Sequence, residues 1–192
     1  MKILKKWAEK RSASKASPFM SEFFKDEERF KKLKRGEFLD ITDDKLLHAA
    51  IAWVYGKTQT LELPKHLAVL SKLPIPCQYV IAANAVDGEV NNGGFNQYYF
   101  NNHILTVPAA EALSAIGAPR LAEIAKKADW TYLQIKDKLG NCNESTMEEF
   151  MASYENNPLN EFDAEYFAVT KMEQTNKLLI SYIKQNINCF GD

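Results

Sequence analysis

Two carboxylates and an imidazole, Asp87, Glu89 and His103, fall within the stretch DGEVNNGGFNQYYFNNH, among five asparagines and a glutamine. Such a set can exchange protons while the amides orient a substrate. As a catalytic signature it is weak, because carboxylates and amides beside a helix break more often satisfy backbone groups than do chemistry. Nothing elsewhere in the chain strengthens it. His48, His66 and His103 show no H-x-x-x-H spacing, no C-x-x-C or calcium-loop pattern occurs, and NNGGF lacks the spacing and the lysine of a phosphate loop. No serine lies in a nucleophile-elbow motif, and Cys77, Cys142 and Cys189 have no histidine beside them. The expectation is therefore no catalytic residue, no metal and no cofactor. The alternative is an enzyme or small-ligand binder that uses the polar corner around Glu89, Asn92 and His103.

The elements that must position this stretch read as helices almost throughout. SPFMSEFF places Ser17 as a cap and Pro18 at the first helical position, with Phe19, Phe23, Phe30 and Leu33 on one face. ITDDKLLHAAIAWVYG carries Leu47, Ala50, Ile51 and Val54 in a stripe and Gly56 as a stop. A short helix follows Pro64, and after LPIP a longer one runs from about Cys77 to Asn91. TVPAAEALSAIG and APRLAEIAKKA read as two helices around Gly117. Ser145 and Glu148 suggest a capping box, and a last helix spans about 163 to 188 with Tyr166, Val169, Met172, Leu179 and Ile183 in line. No two-residue alternation is long enough for a sheet. At 192 residues and 46% hydrophobic, the chain suits one all-α compact domain of roughly eight to ten helices. A basic helical extension over 1–37 precedes the main domain, 38–192.

Within this frame the NNGG corner has an architectural reading. Asn92 and Gly93 suit left-handed backbone, Gly94 allows two helix ends to come close, and Phe95, Tyr98 and Tyr99 share one face of the restarted helix. Glu89, Asn91 or Asn92 is near enough in sequence to cap its free N–H groups.

Charge is segregated along the chain. Residues 1–37 hold 12 Lys and Arg against 6 Asp and Glu, whereas 139–170 hold no basic residue and seven acids: Glu144, Glu148, Glu149, Glu155, Glu161, Asp163 and Glu165. Such segregation points to a polar partner surface. The start of the chain lacks the continuous apolar run of a secretion signal, no stretch approaches membrane-spanning length, and three scattered cysteines do not form a disulfide framework. A cytoplasmic location is expected.

EVNNGGFNQYYFN closely resembles the signature of a family of small bacterial helical proteins that includes a DNA-mimic protein. The residues that carry the pattern are Glu89, Asn92, Gly93, Gly94, Phe95, Gln97 and Tyr98. LLHAAIAWVYGK upstream and PAAEALSAIGA and FDAEYFAVTKMEQTNKLLISYIKQN downstream extend the likeness over about residues 38 to 190. The resemblance implies an α-helical fold and, for the mimic, occupation of a transcription regulator's DNA-binding surface in place of DNA. Duplex DNA carries about one negative charge per 1.7 Å of axis, and the net charge of −1 here departs from that pattern.

The expected function is that of a non-catalytic, regulatory binding protein. Its seven acids would meet a basic protein surface, such as that of a DNA-binding protein, and a second copy of the chain is a further partner to test. Direct nucleic-acid binding is the weaker alternative. PAAEALSAIGAPRLAEIAKKA imitates helix-turn-helix, but its second helix offers few groups able to read base edges. The basic segment 1–37 interleaves acids in KDEERFKKLKR, as solvated helices do.

Overall fold

Side chains that recur at helical spacing are gathered into one core, which runs from Phe30 and Leu33 near the start of the chain to Phe190 near its end. The computed structural model describes residues 18–58, 63–102, 105–139 and 146–191. Among these the chain is helical without a strand. The α-helices are α1 (Pro18–Phe30), α2 (Asp43–Thr58), α3 (Leu63–Leu70), α4 (Ile75–Asn102), α5 (Ala109–Ala115), α6 (Pro119–Ile135), α7 (Met147–Ala152), α8 (Asn160–Glu173) and α9 (Thr175–Gln185). Short 3-10 turns lie at Arg35–Asp40, Lys136–Lys138 and Ile187–Cys189. The class is all-α, as the periodicity indicated.

Helix α4 is the axis of the fold and packs against α2, α5, α8 and α9. It can do so because its first arm carries buried apolar side chains on more than one face: Cys77, Val80, Ile81, Ala82, Ala83, Val86 and Val90 are all buried. At the other side of the core, Phe38, Trp53 and Phe190 meet ring to ring, with centroids 5.7 to 6.3 Å apart. This ties the turn at Arg35–Asp40 and α2 to Phe190, just past the last 3-10 turn. The described part of segment 1–37 thus contributes Phe30 and Leu33 to the same core as the rest.

Several local expectations are corrected. Helix α4 starts at Ile75, two residues early, because Pro76 in a first helical turn forfeits an N–H that has no partner there anyway. Helix α2 runs past Gly56 to Thr58. The capping box is formed by Thr146, whose hydroxyl accepts from the Glu149 N–H at 3.2 Å while Glu149 Oε2 accepts from the Thr146 N–H at 2.6 Å. Ser145 lies outside the described residues. The long last helix is two, divided at Gln174, whose φ of 51° and ψ of 58° are left-handed. Tyr166, Val169, Leu179 and Ile183 of the expected stripe are buried on either side of that break, and Met172 is exposed.

Candidate functional site

Helix α4 bends where its sequence reads NNGG. Gly93 has φ −155° and ψ 25°, and Gly94 has φ 74° and ψ −178°. The residue with positive φ is therefore Gly94, not Asn92 or Gly93. Its combination of angles is open essentially to glycine alone. A Cβ on Gly94 would also land on the carboxylate of Asp163.

That carboxylate explains the restart of the helix. Asp163 Oδ1 accepts the N–H of Phe95 at 2.9 Å, so a residue of α8 caps the second arm of α4. The cap does not come from Glu89, Asn91 or Asn92. Burial raises the Asp163 carboxyl above the ordinary aspartate value, and the Phe95 N–H pulls in the opposite direction. Asn91 turns back to the carbonyl of Asp87 at 2.7 Å, and Asn92 is exposed.

Glu89 spans the bend from the other side. Its Oε2 accepts from Gln97 at 2.6 Å and from Asn101 at 2.9 Å, which joins the first arm to the second. Asp87 serves a different neighbour, accepting from the Thr170 hydroxyl of α8 at 2.8 Å. The two carboxylates of the polar corner are thus engaged with separate partners, and both hold helices together. His103 lies outside the described residues.

The second arm is pinned by rings and amides. Phe95, Tyr98 and Tyr99 are buried, with Phe95 edge-on to Tyr166 at 5.4 Å and to Phe162 at 6.3 Å. Beyond them, Asn96 donates to the Ser153 hydroxyl at 2.8 Å and accepts from Asn157 at 2.8 Å, while the Tyr154 hydroxyl donates to the Gly93 carbonyl at 2.8 Å. Buried amides that satisfy each other fix the register of packed segments, because either one left alone would cost its desolvation. The segment 153–163 is in this way built onto the NNGGF bend.

The same segment carries the acids. Glu148 and Glu149 lie on α7, Glu155 on the following turn, and Glu161 and Glu165 on α8, and all five are exposed. Among the described residues none of the five is in an ion pair; the pairs found are Lys31 with Glu27 and Glu28, Lys45 with Glu22 and Asp26, and Lys184 with Asp43. Glu149 also closes the cap of α7. Glu165 borders a cleft of about 400 Å³ that Arg120 and Lys127 of α6 share, so the acidic face has a basic margin there. Asp163 differs from the other acids in pointing inward to Phe95. Glu144 lies outside the described residues.

Sequence reasoning missed Asp163 as a cap and missed Asn157, Ser153 and Tyr154 as partners of the bend. These contacts join residues 57 to 68 positions apart, and no local pattern announces them. Among the described residues no group of His, Cys, Asp and Glu is arranged to hold a metal, and no helix is long and apolar enough to cross a membrane. No curated protein and no solved structure matches the chain. The family model described as DMP19-like protein matches residues 71–186, from the approach to the bent helix through the last one, and the chain belongs to that family.

Proposed function

We propose that the protein is a non-catalytic regulator that presents the acidic face of α7, the turn after it and α8 to a basic protein surface, in the manner of a DNA mimic occupying a nucleic-acid-binding protein. The observation that carries this reading is the set Glu148, Glu149, Glu155, Glu161 and Glu165, exposed together in a stretch without any lysine or arginine. Glu161 and Glu165 are four residues apart on one helix, a like-charge spacing that costs a helix roughly 0.2–0.5 kcal/mol. A basic partner would turn that cost into attraction. Family membership supports the same direction.

The mimicry is local in charge, since the whole chain is near neutral. It asks only that a rigid strip of carboxylates be held at fixed spacing, and the bend supplies the rigidity by anchoring segment 153–163 at Gly93, Asn96 and Phe95. On this reading the signature is scaffold and the acids are the contact. The basic segment 1–37 lies outside the contact surface.

The test is competition. Proteins captured from the native host on the immobilised chain at low salt are identified, and each DNA-binding protein among them is mixed with its DNA. Addition of this protein should displace the DNA, and the Glu148/Glu155/Glu161→Lys variant should not. Displacement by both forms alike would sink the acidic-surface reading.

A further inference from the structure

A second feature faces solvent beside the bend, on the side formed by the segment 105–109 and α6. It is a cleft of about 460 Å³ whose lining includes Tyr99, Tyr132, Thr106, Val107, Asp129 and Leu133. Tyr99 and Tyr132 stack with centroids 4.1 Å apart and planes 2° from parallel. Asp129 is half-buried, and its Oδ1 accepts from the Tyr99 hydroxyl at 2.7 Å. Among the described residues no lysine, arginine or histidine pairs with this carboxylate. The Thr106 hydroxyl oxygen is buried and has no hydrogen-bond partner among them. Trp130, 68% exposed, and Leu133, 58% exposed, stand on the same helix as Asp129.

Each of these features lacks the same complement. A carboxylate withdrawn from water with one neutral donor wants a cation with several N–H groups. Tyr132, half-buried and stacked on the buried Tyr99, favours a flat cation on an apolar stem, an orphan hydroxyl oxygen can accept one more N–H, and exposed Trp and Leu are the residues that gain most from being covered. Burial holds the Asp129 carboxyl above the usual carboxylate range, against the pull of the Tyr99 hydroxyl. A guanidinium meets the first three demands, and an ammonium lacks the flat face and the fork; the residues beside it on the partner would meet the fourth.

We propose that the Asp129 cleft receives one arginine side chain of the basic partner, stacked along the tyrosine wall and paired to the Asp129 carboxylate, with Trp130 and Leu133 covered by the partner's adjoining residues. The proposal rests on the acidic-surface reading for its source of arginine. It adds what screened surface charge cannot supply, a fixed anchor that tells one basic protein from another. The anchor's carboxylate lies on α6, outside the acidic run of 139–170 in the sequence.

The first experiment needs no partner. The full-length protein is titrated with N-acetylarginine methylamide while the tyrosine ring and Trp130 indole resonances are followed. The citrulline analogue serves as an uncharged control of the same shape and the lysine analogue as an unbranched cation. Saturable binding that shifts Tyr132 is expected, at least tenfold weaker for citrulline and for Asp129→Asn, and unchanged in the Glu148/Glu155/Glu161→Lys variant. Asn keeps an acceptor for the Tyr99 hydroxyl, and Thr106→Val provides a second variant that should weaken binding without touching the carboxylate. Equal binding of arginine and citrulline analogues, or shifts confined to α7 and α8, would overturn the site. The second experiment measures Asp129→Asn against the captured partner. Loss of affinity at least tenfold supports the anchor, whereas unchanged affinity in a protein whose wild-type cleft takes the arginine probe would show that the cleft serves a free cation and not the partner. Failure of the acidic surface alone would appear differently, as charge reversal without effect while Asp129→Asn still weakens binding.

Discussion

Asp163 and Phe95 are 68 positions apart in the chain, yet the carboxylate of one accepts the backbone N–H of the other at 2.9 Å. The bond crosses from α8 to the restart of α4, and it makes the acidic segment and the signature one structural unit. Asp163→Ala should leave the Phe95 N–H buried without a partner and cost about 1–3 kcal/mol. Asp163→Asn retains an acceptor and should cost less. Urea denaturation of the two variants checks the ordering, and equal losses would mean that the charge itself, not the cap, supports the bend.

The two glycines of the bend should behave differently. At Gly94 an alanine meets both a positive φ and the Asp163 carboxylate, so Gly94→Ala should cost several kcal/mol, more than about 3. At Gly93 φ is negative, and the added methyl would press on the Gln97 carboxamide, the far end of a flexible side chain, and come within 3.0 Å of the Tyr154 hydroxyl. Gly93→Ala should therefore cost less, about 1.5–3 kcal/mol, the worth of the Gln97 to Glu89 carboxylate hydrogen bond it displaces. Thermal melts of the pair decide it, and the reverse order would contradict this account of the corner.

Phe95 offers a measure of how much the ring cluster contributes. It is fully buried and meets Tyr98, Tyr99, Phe162 and Tyr166. Phe95→Ala should cost about 3–5 kcal/mol, and Phe95→Leu, which keeps most of the volume, clearly less. The loss should register in folding; binding measured well below the melting temperature should change little.

What the sequence made legible was local. Gly117 and Pro119 mark the turn between α5 and α6 within three residues, and Gly117 does take a positive φ of 92°. The spacing of Phe95, Tyr98 and Tyr99 places three rings on one face because helical geometry leaves no alternative. The break at Gln174 was illegible, since TKMEQTNK has neither glycine nor proline to announce it. A bond between the Thr170 and Thr175 hydroxyls at 3.1 Å spans that break, while Thr170 also donates to Asp87 on α4. The same limit hid the role of Asp163. A run of seven acids reads as one surface, and only the packing of α8 on α4 separates Asp163, which turns inward, from the five described acids that face water.

The inward carboxylates have a consequence for pH. Asp163 and Asp129 both carry values raised above 3.8, chiefly by burial. A raised value in the folded state means that folding favours the protonated form. The stability each group contributes is therefore present below 3.8 and lost as pH rises through its folded value. Asn in place of each Asp does not titrate, so the stability of Asp163→Asn and Asp129→Asn relative to the native protein should rise as pH increases from about 3.8 towards neutrality. Denaturation at a series of pH values, read as the difference from the native protein, cancels the other titrating groups. A difference that falls with increasing pH would show that the carboxylates are stabilised as anions in the fold.

The acidic face can be tested apart from any trust in the family. Glu148, Glu155 and Glu161 are exposed, and reversing them to lysine touches none of the hydrogen bonds that hold the bend. Reversal should leave the melting temperature little changed or slightly lowered: the like-charge spacing of Glu161 and Glu165 is relieved, but Glu148 and Glu161 each sit in the first turn of a helix, where a carboxylate complements the helix dipole and a lysine does not. Binding should weaken mainly through slower association, as expected when steering charges are removed, and the native protein's affinity should fall as salt rises, since exposed charges are screened over about 8 Å at physiological ionic strength. The control reverses Lys25, Lys32 and Lys34, which are exposed in the basic segment. Those lysines lie on α1 and just beyond it, where an acidic partner would dock. If their reversal abolishes binding while the glutamate reversals leave it intact, the partner is an anion such as nucleic acid, and the protein binds with a different surface and the opposite sign of charge.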